Sequence, residues 1–100
     1  MVEKSLLERK QPKVAEAFGK LFKASFVEGA LPLKIKEIIA MCMGLAVNCP
    51  ECSKGHVKEA LKAGATEDEV AEALAVALMF VGGPMFPRSR TIEEIFKGVE

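Results

Sequence analysis

From Ile38 to Pro50 the sequence passes through thirteen residues without a single charge. Ile38, Ile39, Met41, Met43, Leu45 and Val47 crowd that stretch too densely to leave a polar helical face. A helix that is apolar around most of its circumference must lie at the centre of a fold, with other elements around it. This central helix is predicted to open at Pro32 and to run to about Val47. Asn48, Cys49 and Pro50 then mark a turn, because Asn favours turns and a residue before proline avoids the helical region. Nowhere do apolar and polar residues alternate long enough to predict a strand, so the chain reads as all-α.

The remaining punctuation predicts five further helices. A short segment runs from about Val2 to Lys10. Pro12 opens the next helix, where its missing N–H is harmless. Val14, Phe18, Leu21, Phe22 and Phe26 recur on that helix at three- and four-residue spacing before Gly29 closes it. Pro50 starts a fourth helix that Gly64 stops near Ala63. Thr66 and Glu69 form a capping box for a fifth, reaching about Val81. Gly82, Gly83, Pro84 and Pro87 read as a loop, and Thr91 with Glu94 as a second capping box before a short final helix. The expectation is one domain, residues 1–100, built as a compact bundle of about five to six helices.

Formal net charge is zero, which argues against nucleic acid or an anionic membrane as partner, since phosphate binding needs a basic surplus. Residues 1–10 include Glu3, Lys4, Glu8, Arg9 and Lys10, so no signal-peptide core is read there. The longest apolar run, Ala73 to Val81, is too short to span a bilayer. A cytoplasmic protein is expected. Half of the residues are hydrophobic in a short chain, more apolar surface than a small monomer hides, which predicts a homo-oligomer. Three cysteines do not make a disulfide scaffold, and in a reducing compartment a close pair points to redox or metal chemistry.

That pair is Cys49-Pro50-Glu51-Cys52 at a helix start. The thiolate is the reactive form of cysteine, and the unpaired N–H groups and dipole of a helix N-terminus favour an anion there. Two cysteines three residues apart can also close a disulfide. His56 follows Cys52 by four residues and so stands only about 40° round the helix, one turn on, where imidazole can take a thiol proton and return it. If the third and fourth helices form an antiparallel hairpin, Glu37 and His56 differ in axial position by only about 4–5 Å. Spacing therefore permits the carboxylate to orient the imidazole.

The run Glu37, eleven residues, Cys49, two residues, Cys52, three residues, His56 resembles the signature of alkyl hydroperoxidase D-like proteins in the carboxymuconolactone decarboxylase superfamily. The histidine helix, Ala60, Gly64, Ala65 and the capped acidic start at Thr66 extend the likeness. The resemblance implies an all-helical domain assembled as trimers or hexamers, with thiol peroxidase or disulfide reductase activity in antioxidant defence. It matches Cys52 to the peroxide-attacking cysteine, Cys49 to the resolving one, and His56 with Glu37 to the proton relay. No cofactor or metal is called for. The substrate would be a hydroperoxide or disulfide, and the reductant a dithiol or electron-transfer protein. Glu51 departs from the family, in which a His or aromatic residue often precedes the second cysteine; an anion there works against a Cys52 thiolate.

Other readings of the same residues are a zinc-binding or redox-sensing module and a carboxymuconolactone decarboxylase-type lactone enzyme. Cys49, Cys52 and His56 supply three zinc ligands and would need a fourth, such as Glu37. Lactone decarboxylation has no need of a dithiol. Glu37 alone could be a solvated carboxylate paired with Lys34. Cys42, about 140° round the helix from Glu37, reads as core. Met41, Met43, Met79, Phe80 and Phe86 read as packing or interface residues, and Lys54, Lys58 and Lys62 as a solvated helix face or a surface for an acidic reductant.

Overall fold

The hairpin that the uncharged stretch implies is the centre of the fold. In a computed structural model describing residues 3–98, α3 (Leu33–Ala46) and α4 (Pro50–Lys62) are joined by a three-residue turn. Asn48 takes a left-handed backbone there, φ 59°, which asparagine tolerates better than most side chains. The Cys49 N–H donates to the Gly44 carbonyl at 2.7 Å and seals the turn. Register follows from contacts along the hairpin. Ser53 Oγ donates to the Met41 carbonyl at 2.9 Å, and Glu37 meets His56, so positions rise on α4 as they fall on α3.

Two more helices complete a four-helix body. α5 (Glu67–Val81) opens with the capping box expected of Thr66 and Glu69: each backbone N–H donates to the other's side chain. Glu69 also pairs with Lys34 at 3.0 Å, which ties α5 to α3. That bond removes the alternative partner considered for Glu37. Gly82 ends the helix at φ 78°. The body's core comprises Ile38, Met41 and Leu45 of α3, Val57 and Ala60 of α4, Ala65, Val70 of α5, and Met85 and Ile92 of α6.

α6 (Met85–Phe96) departs from expectation. The helix begins six residues before Thr91, so Thr91 is interior to it and the Thr91–Glu94 pattern is not a helix start. Packing explains the difference. Met85 and Ile92, seven residues apart, both enter the core and carry the helix through the intervening residues. Pro87 falls in the first turn, where no intrahelical bond needs its N–H. Arg88 then donates to the Leu45 and Ala46 carbonyls, at 2.9 and 3.3 Å, satisfying the exposed end of α3.

The first two helices stand off this body. α1 (Leu6–Lys10) is shorter than expected, because Ser5 and Glu8 form a capping box that starts it; Val2 lies outside the described residues. α2 (Pro12–Ser25) ends at Phe26, before Gly29. Neither helix contributes a buried residue. Among the described residues no helix is long and apolar enough to cross a membrane.

Candidate active site

Cys49 is the N-cap of α4, and Cys52 occupies its first turn. The two are joined in a disulfide, with Cα atoms 5.3 Å apart. Pro50 at the first helical position fixes the entry of the chain. Cys52 is exposed and Cys49 half-buried, so the pair meets solvent where the helix N–H groups are unpaired. Glu51 is exposed beside them.

The depth of the pair depends on Gly44. A Cβ at that position would come within 2.5 Å of Ser53 Oγ, 3.1 Å of Ser53 N and 3.3 Å of Cys52 Cβ. Glycine therefore lets the first turn of α4 press directly on α3. Ser53 is fully buried, and its hydroxyl is satisfied by the Met41 carbonyl, so the close contact leaves no polar atom stranded.

One turn further along α4, His56 Nδ1 and Glu37 Oε1 lie 2.7 Å apart. The Glu37 side chain is only 7 % exposed and that of His56 20 %. A carboxylate this deep is found with a partner, and the imidazole supplies it. With Nδ1 engaged, Nε2 is the nitrogen left for proton transfer. All four residues singled out in the sequence thus belong to one hairpin: Glu37 on α3, and Cys49, Cys52 and His56 on α4 or its cap.

Residues from α2 also reach this place. The Phe26 ring stacks on the His56 imidazole with centroids 5.2 Å apart and planes 10° from parallel. Phe22 stacks on Phe26 at 4.6 Å and lies 6.0 Å from His56. Sequence spacing identified both only as members of an apolar helical stripe; nothing local in the sequence links α2 to α4. Lys36 Nζ donates to the Ser25 carbonyl at 2.9 Å and holds the end of α2 against α3.

A carboxymuconolactone decarboxylase family model matches residues 12–92. The chain belongs to this family. An uncharacterised protein of Cupriavidus necator is 36 % identical over 78 residues, which are 78 % of this chain and 69 % of that protein. A carboxymuconolactone decarboxylase family protein of Legionella pneumophila, solved in its apo form, superposes with a TM-score of 0.82 at 33 % identity, covering 92 % of this chain and 82 % of that one. A family protein of Thermotoga maritima, for which an antioxidative role has been suggested, gives a TM-score of 0.76 at 26 % identity over 86 % of this chain and 93 % of its own. The family fold and the helical architecture read from the sequence therefore agree.

Two side chains differ from the sequence reading. Lys54 is not a solvated lysine: its side chain is 16 % exposed and pairs with Glu94 of α6 at 3.3 Å. Cys42, the free thiol, is half-buried rather than sealed in the core. It lines an apolar groove between α3 and α5 and gives a weak S–H contact of 3.7 Å to the Ala73 carbonyl. Burial pushes its pKa up, away from thiolate reactivity. Among the described residues, no cluster of three or more His, Cys, Asp or Glu side chains is arranged to hold a metal ion.

Proposed function

We propose that this protein is a thiol-dependent oxidoreductase of antioxidant defence, reducing hydroperoxides or disulfides through Cys49 and Cys52. The observation that carries the reading is a disulfide at the start of α4 with a Glu37-bound histidine one turn along the same helix. In the proposed cycle the Cys52 thiolate attacks the distal oxygen of a hydroperoxide. An S–O bond forms, the O–O bond breaks, and the alcohol leaves with a proton from His56. The Cys49 thiol then gives up its proton and attacks the Cys52 sulfenic acid; an S–S bond forms, the S–O bond breaks, and the hydroxide leaves with that proton as water. With a disulfide substrate, Cys52 forms a mixed disulfide from which Cys49 displaces the second thiol. An external dithiol or electron-transfer protein returns two electrons.

Cys52 is assigned the attack because it shares a helical face with His56, and a general base within reach is worth about a hundredfold or more in rate. Both thiols feel the first-turn dipole, so that effect separates them by less, within about 1 kcal/mol. Glu51 opposes a Cys52 thiolate, but consecutive helical side chains diverge by about 100°. The antioxidative role suggested for the Thermotoga relative supports the same chemistry.

Single-turnover hydroperoxide consumption by Cys52→Ser and Cys49→Ser tests the assignment. Cys52→Ser is expected to lose the reaction. Cys49→Ser is expected to react once and stop as a sulfenic acid or intermolecular disulfide. If Cys52→Ser reacts at the wild-type rate while Cys49→Ser does not, the roles are reversed and the relay argument fails.

A further inference from the structure

α2 contributes nothing to the buried core, yet its last turn and C-cap place two aromatic rings against His56. We propose that Phe26, held in turn by its stacking on Phe22, is a positioning residue that fixes the plane of the His56 imidazole while Glu37 fixes its Nδ1 edge. This inference rests on the thiol-redox reading of the site.

The argument begins with what the hydrogen bond leaves free. One bond at 2.7 Å anchors a single edge of the ring, and a carboxylate oxygen accepts over a broad range of directions. The imidazole can tilt about that anchor, and Nε2, at the far side, sweeps the widest arc. A flat partner on the ring face removes this tilt. Phe26 lies within 10° of parallel to the imidazole at 5.2 Å, and Phe22, stacked on Phe26 at 4.6 Å, is 6.0 Å from the imidazole, so the three centroids form a triangle in which Phe26 packs on both other rings. The Phe26–His56 centroid distance of 5.2 Å falls in the range of offset stacking, where aromatic faces attract beyond simple burial. It also falls within the roughly 6 Å over which a cation is drawn to a ring face, so Phe26 can hold the ring after it takes up the thiol proton. An aliphatic side chain could fill the volume but would not impose a plane.

His56 is the sole histidine, and the sequence contains no Trp or Tyr, so its ring protons give distinct NMR signals. The experiment compares reduced wild type, Phe26→Leu and Phe26→Tyr by proton NMR, and measures single-turnover consumption of cumene hydroperoxide. Wild-type His56 ring signals are expected to be shifted by the neighbouring ring currents. Phe26→Leu should move them toward free histidine and slow thiol oxidation about three- to tenfold, with both thiols still titratable. Phe26→Tyr should restore both readouts.

Wild-type signals at the free-histidine position would overturn the proposal whether or not any variant folds. So would a wild-type rate in Phe26→Leu with the His56 signals displaced, because the stack would then exist without positioning anything. A wild type that consumes neither hydroperoxide nor disulfide would instead sink the thiol-redox reading, and this role for Phe26 with it. The two failures are therefore distinguishable.

Discussion

Glu37 sits beside the core residues of α3, and its side chain is among the least exposed polar groups described. Its partner, His56, is the sole imidazole in the sequence, the side chain most often used for general acid–base chemistry. A carboxylate in this position fixes the tautomer of the ring and balances the charge the ring gains on protonation, the role an acid plays behind a catalytic histidine elsewhere. Glu37→Gln keeps the shape and removes the charge. It is expected to slow the first oxidation by about ten- to a hundredfold while leaving both thiols titratable. Stopped-flow oxidation of the reduced variant measures this, and an unchanged rate would show that the bond is structural. The pairing of Cys49 with Cys52 was legible in the sequence from their spacing at a helix start, and the approach of Glu37 to His56 from hairpin register together with the family resemblance. Phe22 and Phe26 were not, because where α2 meets α4 is decided by tertiary contact.

At the scale of elements, the α3–α4 hairpin depends on an approach only glycine allows. Gly44→Ala would drive a Cβ against the buried Ser53 hydroxyl and its backbone. Overpacking of this kind costs about 1–3 kcal/mol, and the strain falls on the turn that carries the thiols. Denaturant melts should show a lower midpoint, and disulfide closure should slow; Gly55→Ala, with open space around it, should do neither. The α5 start offers a test by pH. Glu69 is held below the usual carboxylate range, first by the Thr66 backbone N–H and then by Lys34. A carboxyl group depressed in the folded state stabilises fully above its unfolded pKa and loses that contribution as pH falls through the folded value. The gap in melting temperature between wild type and Glu69→Gln should therefore be widest near neutrality and close in acid. The Thr66 box was readable from four residues, whereas the same pattern at Thr91 misled. Local capping preference yields when core contacts on both sides, here Met85 and Ile92, hold the helix through it.

The whole molecule is more open than its length requires. Its radius of gyration is 14.8 Å, against about 13 Å for a compact chain of 100 residues, and α1 and α2 bury no residue against the body. Two apolar surfaces are left uncovered. On α2, Val14, Phe18 and Leu21 face solvent. Between α3 and α5 a groove of about 470 Å³ is lined by Ile39, Met43, Val76 and Phe80 among others, with Phe80 itself 90 % exposed. Single exposed apolar residues are ordinary, but contiguous surfaces of this kind mark association. The two surfaces differ, so contact between one copy's α2 and another's groove would be head-to-tail, and such contacts either close into rings or grow without limit. A closed ring satisfies both surfaces, and the family resemblance implies its size: a trimer, or a hexamer made of two, is the expected state. Light scattering after size exclusion at micromolar concentration should give the mass of three or six chains. Phe80→Glu places a charge in the groove and should shift the population toward monomer without unfolding the four-helix body, since Phe80 is outside the core. A wild type that remains monomeric across that range would mean that these surfaces are covered by something other than a second copy.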